Sequence, residues 1–178
     1  MNCQPSEWLV RSVVVHSATV HKGSGMTGQQ KQDEMGTAQQ IQALRLKSRR
    51  TEQEMADELG LTIQSYCDLE QHDEELQSAV SIAQALKLAN LLHTDLLTLL
   101  GETEIPVKMP IARVRSALNA QLGKSAESRE VMEDTINWDL GPFLEGSDEW
   151  STVYTIDFLR QLAIAIEVDW QVLLAGIA

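Results

Sequence analysis

The stretch that decides the fold is TEQEMADELGLTIQSYCDLE, residues 51–70. Thr51 is a good helix N-cap, and Glu54 stands three residues on, where its carboxylate can accept from the backbone N–H of the cap. Gly60 then supplies the positive φ with which many helices end, and Thr62 at once offers a second N-cap hydroxyl. The stretch therefore predicts two short helices joined by a tight turn, which is a helix-turn-helix pattern.

Helical patterns continue on both sides of this stretch, so we expect five helices between residues 37 and 102. Apolar residues recur along each of them at the spacing that gives a helix one face for a shared core. The predicted helices are Thr37 to about Arg49, Thr51 to Leu59, Thr62 to Gln71, Ser78 to about Leu88, and Thr94 to Leu100. Their predicted core faces are Ala38, Ile41 and Leu44; Met55, Ala56 and Leu59; Tyr66 and Leu69; Val80, Ala83 and Leu86; and Leu96, Leu97 and Leu100.

Length and composition narrow the classes of protein. The 178 residues suit one or two small domains with a buried core. The apolar runs are far shorter than the roughly 18 to 20 residues that span a bilayer, so we expect no membrane segment. Cys3 and Cys67 fit neither a disulfide framework nor a metal site, which favours a reducing cytoplasm. The sequence has no Gly-rich phosphate loop, nucleophile elbow or cluster of metal ligands, so it predicts no enzyme, cofactor or metal site.

The charge of the chain is strongly acidic. Fourteen Lys and Arg residues stand against 26 Asp and Glu, which gives a net charge of −12 and a pI of about 4.7. Residues 37–102 carry 5 basic and 11 acidic side chains, and residues 103–178 carry 6 and 12, whereas residues 1–36 balance at 3 and 3. Both folded segments therefore have the sign that repels a phosphate backbone.

Residues 1–36 differ in composition from the helical patterns that follow. Residues 8–20 favour a short strand by their β-branched content, and the Gly-, Ser- and Gln-rich residues after them are typical of a flexible linker. Met26 and Met35 both precede the first helical pattern and leave the start of translation open. We expect residues 1–36 to form a flexible N-terminal extension.

A second helical domain is predicted over residues 111–178. Pro106 and Pro110 indicate an extended linker over residues 103–110. The fold predicted for the whole chain is thus all-α, with a five-helix domain over residues 37–102 and a second helical domain beyond the linker.

The second domain resembles a degenerate copy of the first. IARVR at 111–115 echoes IQALR at 41–45. Gly141 and Pro142 stand where the second helix of the pair would lie, so any helix there is short. Two interpretations stay open: an internal repeat that lost this helix and kept its core, or a match produced by shared helical periodicity.

With these spacings, residues 41–101 resemble the Cro/C1-type (XRE-like) helix-turn-helix domain of phage repressors and bacterial regulators. The resemblance rests on LR at 44–45, EMADELGLT at 54–62, LE at 69–70 and the closing LLTLLG. It implies a lambda-repressor-like fold, a function in transcription regulation, and a homodimer bound to double-stranded DNA.

The resemblance also implies a structural ion pair beneath the helix pair. Arg45 matches the first-helix arginine of the family and Glu70 the third-helix glutamate. Arg115 and Glu145 occupy comparable places in the second segment. Such a pair supports the fold, and Glu70 is not expected to act as a catalytic acid.

The residues that the resemblance places against DNA lie on the predicted helix from Thr62 to Gln71, mostly in its first turn. Ile63, Gln64, Ser65 and Asp68 match the family's contact positions. Gln64 can make a bidentate contact with adenine, Ile63 can touch a thymine methyl, and Thr62 and Ser65 can donate to phosphate.

Basic and acidic residues compete around these positions. Arg49 and Arg50, with Lys47, form the basic cluster of this segment and can flank the duplex. Glu52 stands where the family usually has a glutamine that contacts phosphate, and His72 replaces a usual glycine. Three further acidic residues follow the predicted helix from Thr62 to Gln71, and they are Asp73, Glu74 and Glu75.

Two functions therefore stay open. The first is a DNA-binding transcriptional regulator with the helix from Thr62 in the major groove. The second is an acidic protein-interaction module on a repressor-like fold that does not bind DNA itself. The second domain would dimerise or bind a protein partner. Its large aromatic residues are either part of that surface or core, and they are Trp138, Phe143, Trp150 and Trp170.

Overall fold

A computed structural model describes residues 35–102, 109–123, 125–146 and 149–177. All regular structure within these ranges is α-helical, which confirms the all-α class, and none of their helices is long and apolar enough to cross a membrane. The strand predicted within residues 8–20 and most of the predicted linker lie outside the described residues. The helices are α1 (Thr37–Lys47), α2 (Glu52–Leu59), α3 (Ile63–Leu69), α4 (Glu75–Ser78), α5 (Ile82–Leu91), α6 (Leu96–Leu99), α7 (Ile111–Leu122), α8 (Ala126–Ile136), α9 (Gly141–Glu145), α10 (Trp150–Val153), α11 (Ile156–Ala165) and α12 (Trp170–Ala175).

Helices α2 and α3 begin at the N-caps that the sequence predicts. The Thr51 hydroxyl accepts from the Glu54 N–H at 3.2 Å, and the Glu54 carboxylate accepts from the Thr51 N–H at 2.8 Å, which completes a capping box. Gly60, at φ +68°, ends α2, and the Thr62 hydroxyl accepts from the Ser65 N–H at 3.1 Å. Three residues therefore separate the two helices.

The prediction for the fourth helix is wrong in its start, and of its predicted core residues Val80 is buried whereas Ala83 and Leu86 are only half-buried. A separate short helix, α4, ends at Ser78, and α5 begins after Ser81, which forms a capping box with Gln84. This cap starts the helix three residues later than predicted and changes which side chains turn inward. The residues that α5 buries are Ile82, Ala85, Leu88 and Ala89.

One hydrophobic cluster contains buried residues from both helical segments. Across the two segments α5 packs on α10, α4 on α11 and α6 on α12. A backbone hydrogen bond of 2.8 Å also joins the Ile82 N–H to the Tyr154 carbonyl. The segments 37–102 and 111–178 thus share a core, and both lie in one compact unit.

Aromatic residues of the second segment contribute much of this core. The Phe158 side chain is fully buried, and its ring lies 5.6 Å from the Phe143 ring and 5.8 Å from the Trp138 ring. Trp150 is buried edge-on against Phe143 at 5.3 Å. Phe143 and Trp150 therefore belong to the core, whereas Trp138 and Trp170 are half-buried.

Helices α7 to α12 follow the order of α1 to α6 at nearly constant spacing. The starts of α1, α2, α5 and α6 precede those of α7, α8, α11 and α12 by 74 positions, and the spacing is 75 for α4 and α10 and 78 for α3 and α9. The N-cap positions Ser81 and Thr155 also lie 74 apart, as do His93 and Glu167, which both have positive φ. Helical periodicity alone does not align caps and backbone conformations in this way, so the spacing favours an internal repeat.

The spacing of 74 between α1 and α7 also corrects the predicted equivalence of Arg115 with Arg45 of the ion pair. Arg45 instead corresponds to Asn119, whose side-chain amide donates to the Leu144 carbonyl at 3.1 Å. The echo between IQALR and IARVR is therefore out of register with the helices by four residues, about one helical turn.

Arg115 has a different role from Arg45. Its guanidinium lies 5.4 Å from the centre of the Phe143 ring and 6.0 Å from that of Trp150. No ion pair with Glu145 occurs in the described part of the chain. Arg115 therefore packs on aromatic faces by cation–π contact.

Candidate nucleic-acid interface

A buried ion pair supports the α2–α3 pair from below. The Arg45 Nε donates to one Glu70 carboxylate oxygen at 2.6 Å, and a terminal Arg45 nitrogen donates to the other at 2.8 Å. The side chains are only 8% and 3% exposed, so the contact is bidentate, charge-assisted and shielded from water. Donating hydrogen bonds to the Glu70 carboxylate raises the pKa of Arg45. The pair ties α1 to the C-terminal end of α3.

The same guanidinium also positions the loop between α1 and α2. Arg45 donates to the Arg50 carbonyl at 3.1 Å and to the Glu52 carboxylate at 3.3 Å. Arg49, next in this loop, adopts φ +57°, which is uncommon for a residue with a side chain. Two exposed or half-exposed basic residues, Arg49 and Arg50, are thus held beside the start of α2 by a buried group.

The first turn of α3 faces solvent, while its other side lies in the core. Gln64 and Ser65 are exposed and Ile63 is 44% exposed, whereas Tyr66 and Leu69 are buried. The exposed Ile63 is one of the residues that the resemblance places against DNA. Each step of three residues turns a helix by about 300°, so Ile63 lies about 120° away from Leu69 and falls at the edge of the buried face.

The polar groups on this turn bond to one another. The Gln64 amide donates to the Asp68 carboxylate at 2.9 Å, and the Thr62 and Ser65 hydroxyls lie 2.8 Å apart. An exposed pair four residues apart stabilises a helix by about 0.2 to 0.5 kcal/mol. A bidentate contact between an amide and adenine contributes about 1 to 3 kcal/mol of discrimination. The base contact is the larger of the two, so Asp68 does not prevent Gln64 from binding a base.

Glu52 is less free to repel phosphate than its sequence position indicates. One carboxylate oxygen accepts from Arg45, and the Cys67 thiol donates to the other at 3.5 Å. Burial raises the pKa of the Cys67 thiol, which keeps its proton in place. Glu52, Glu70 and Arg45 together still carry one net negative charge, which opposes a nearby phosphate by on the order of 1 kcal/mol.

An open groove beside α2 mixes charges of both signs. Lys87 crosses this groove and donates to the Glu58 carbonyl. The groove is lined by three basic residues, Arg49, Arg50 and Lys87, and by three acidic residues, Glu54, Asp57 and Glu58. The acidic side chains of α2 therefore offset part of the positive charge that the loop presents.

The acidic loop after α3 has a structural function in part. The Asp73 carboxylate accepts from the Ala38 N–H at 2.8 Å and so binds the first turn of α1. Glu74 occupies the N-cap position of the short helix α4, and His72 is exposed. Asp73 is thus a cap from a residue 35 positions away, a role that no local pattern indicates.

The equivalent region of the second segment has a different surface. Helix α9 is five residues long with Pro142 in its first turn, as predicted, and Gly141 and Phe143 are buried. The Glu133 carboxylate accepts from the Leu140 N–H and from Arg129, both at 2.8 Å. Glu133 therefore caps the turn before α9, and this helix has no exposed first turn like that of α3.

Comparisons of the chain with models of protein families, with curated proteins and with solved structures found no significant match. Within the described ranges, no group of three or more His, Cys, Asp or Glu side chains is arranged to hold a metal ion. The geometry of α3 and of the loop before α2 is therefore the basis on which a function is inferred.

Proposed function

We propose that this chain is a DNA-binding regulator of transcription that places the first turn of α3 in the major groove. The observation that carries the proposal is the exposure of Ile63, Gln64 and Ser65 on a helix whose opposite side is fixed by the Arg45–Glu70 pair. A rigid support of this kind fixes the position of side chains that must meet base edges.

The residue types on the exposed turn suit direct readout. The Gln64 amide has both a donor and an acceptor, which match N7 and N6 of adenine. The Ile63 side chain suits the methyl group of thymine, and the Thr62 and Ser65 hydroxyls can donate to phosphate. The turn therefore favours an A·T pair in the major groove, while the hydroxyls of Thr62 and Ser65 contact the phosphate backbone of the DNA.

The loop before α2 supplies the phosphate contacts in this proposal. Arg45 holds the backbone of this loop at the Arg50 carbonyl, so little backbone ordering is needed when Arg49 and Arg50 meet a duplex. The net charge of −12 opposes association at long range. Screening reduces that opposition beyond about 8 to 10 Å at ionic strengths of 0.10 to 0.15 M, which leaves local contacts to decide binding.

A second candidate is an acidic module that binds a basic protein and not DNA. The observation that favours it is the position of Glu52 and Asp68, whose carboxylates flank the exposed turn of α3. In this case a basic protein would contact Glu52 and Asp68, and Gln64 would contribute little to binding. The two candidates thus differ in the effect of changing Gln64.

Changing Gln64 to Ala tests the first candidate. Duplexes that bind the full chain are selected from a random pool at low salt, and the affinity of each variant is measured by fluorescence anisotropy. Loss of a bidentate base contact of about 1 to 3 kcal/mol predicts roughly 5-fold to 150-fold weaker binding and relaxed preference at one base pair.

The matched control is Gln53→Ala. Gln53 lies on α2 and bonds Asp57 at 2.8 Å across four residues, as Gln64 bonds Asp68 at 2.9 Å. Both changes remove the same helix-surface pair, so they have similar effects on stability, and only Gln64→Ala is expected to lower specific affinity. Equal DNA binding by both variants and by the wild type would overturn the proposal.

A further inference from the structure

We infer that residues 111–178 act as an internal partner for residues 37–102, and that the chain therefore reads DNA as a monomer through α3 alone, on a single non-palindromic half-site. The half-site part of this inference rests on the proposed function, whereas the internal partner does not.

The contacts between the two segments have the pattern of a two-fold interface. The repeat pairs α4 with α10, α5 with α11 and α6 with α12. Exchanging these partners turns the α5–α10 contact into the α11–α4 contact and leaves the α6–α12 contact unchanged, and all three contacts are present. An interface in which the same surface serves both sides is the isologous arrangement of a symmetric dimer. Here one chain provides both sides.

Equivalent residues are buried on the two sides of this interface. Leu76 and Val80 correspond at a spacing of 74 to Trp150 and Tyr154, and all four are buried. The buried faces of α5 and α11 match in the same way. The matching pairs are Ile82 with Ile156, Leu88 with Leu162, and Ala89 with Ala163.

Burial of this face leaves little of it for a second copy of the chain. Within α6, Leu96, Leu97 and Leu99 are each at most 5% exposed, and the α12 residues Leu173 and Leu174 are fully buried. The apolar area of this face is therefore already covered within the chain. A second copy could use this face only if residues 111–178 left it.

The described residues of the second segment form no second recognition helix. In the first segment three exposed residues begin α3, whereas α9 begins with the buried Gly141 and the half-buried Pro142, and Phe143 packs 5.6 Å from Phe158. Helix α8 is also three residues longer than α2 and ends at Asn137 with φ +57°. The region equivalent to the exposed turn of α3 is therefore drawn into the aromatic core.

One recognition helix on a pseudo-symmetric body binds DNA differently from a symmetric dimer. A symmetric dimer binds two half-sites one helical turn apart and requires a palindrome. A chain that binds through α3 alone contacts one major groove over a site of about 5 bp. Such a site does not need to be palindromic. The homodimer that the sequence predicts is replaced in this inference by an internal pseudo-dimer.

The test has two independent measurements on the full chain. The first is mass in solution by sedimentation equilibrium between about 1 and 100 μM, without DNA. The expected result is a monomer of 19.8 kDa at every concentration. A dimer that forms in this range would overturn the inference that the chain acts as a monomer.

The second measurement is selection from random duplexes followed by determination of the stoichiometry. The expected product is one short non-palindromic motif bound by one chain. A palindromic motif bound by two chains would overturn the half-site inference and leave the proposed function in place. If no duplex is selected, the proposed function and the half-site both fail, and the mass measurement still decides whether the chain is a monomer.

Discussion

Replacing Glu70 with Ala is expected to lower the free energy of unfolding by about 3 to 5 kcal/mol. The change leaves the Arg45 guanidinium, which is 8% exposed, without the carboxylate that accepts two of its hydrogen bonds. The guanidinium keeps the Glu52 carboxylate and the Arg50 carbonyl as partners but loses its buried bidentate partner, and a buried charge is destabilised by each missing hydrogen bond that water no longer supplies. Chemical denaturation followed by circular dichroism measures the loss.

Two further variants show whether the loss comes from the unpaired charge. Arg45→Met combined with Glu70→Leu removes both charges, so its stability is expected within about 2 kcal/mol of the wild type. Glu145→Ala removes an exposed carboxylate from the C-terminal end of α9 and is expected to change stability by less than about 0.5 kcal/mol. A Glu70→Ala variant as stable as Glu145→Ala would contradict a structural role for the pair.

Tryptophan fluorescence extends this experiment to the shared core. None of the four tryptophans lies between residues 37 and 102, and three lie in the second segment. With Trp8 changed to Phe, the emission reports unfolding of residues 111–178. If the segments unfold together, Glu70→Ala in the first segment shifts the fluorescence midpoint as much as the dichroism midpoint. A fluorescence midpoint that stays unchanged would contradict the shared core.

Replacing Phe158 with Ala is expected to destabilise the chain by about 3 to 5 kcal/mol. Its ring is fully buried, stacks on Tyr154 at 4.0 Å and meets Trp138 at 5.8 Å. The substitution removes buried apolar area, leaves a cavity, and breaks aromatic contacts that each contribute about 0.5 to 1.5 kcal/mol. Urea denaturation measures the change.

The control for this substitution lies on the same helix. Ile164 is on α11 and is 71% exposed, so Ile164→Ala is expected to change stability by less than about 0.5 kcal/mol. If Phe158→Ala and Ile164→Ala had equal effects, the aromatic cluster would not be the packed core that the ring distances describe.

Local signals in the sequence were enough to predict the start and turn of the α2–α3 pair. A capping box depends on two residues three positions apart, and a helix that ends at positive φ favours glycine at one position. Thr51, Glu54 and Gly60 therefore predict where α2 begins and ends without any knowledge of distant contacts. The fourth helix shows the limit of such signals. Ser78 and Ser81 are both plausible caps, and Gln84 distinguishes them only when the capping box is considered.

Contacts between distant residues were beyond what the sequence could show. Asp73 caps α1 from 35 positions away, and nothing near Asp73 indicates this partner. The register of the repeat was also misjudged, because the match between IQALR and IARVR is one turn away from the spacing that the helix starts define. Short matches between amphipathic helices recur at each turn, so only caps and positive-φ residues fix the register.

For the candidate interface, the sequence indicated which residues belong together and not how they are bonded. The exposure of Gln64 and Ser65 agrees with their predicted positions on the outer face of α3. The bond between Gln64 and Asp68 and the bonds that Glu52 accepts from Arg45 and Cys67 depend on side-chain conformations in three dimensions. These contacts determine how strongly the acidic residues oppose DNA.

The most direct test of DNA binding is the affinity of the full chain for a mixed-sequence duplex as a function of salt concentration. Two to four phosphate contacts predict that log K falls linearly with log salt, with a slope of about −2 to −4. Arg49→Gly is expected to reduce the slope by about 1 without loss of stability, because glycine accepts the positive φ at this position. No binding at low ionic strength, or an affinity that does not change with salt, would contradict the account.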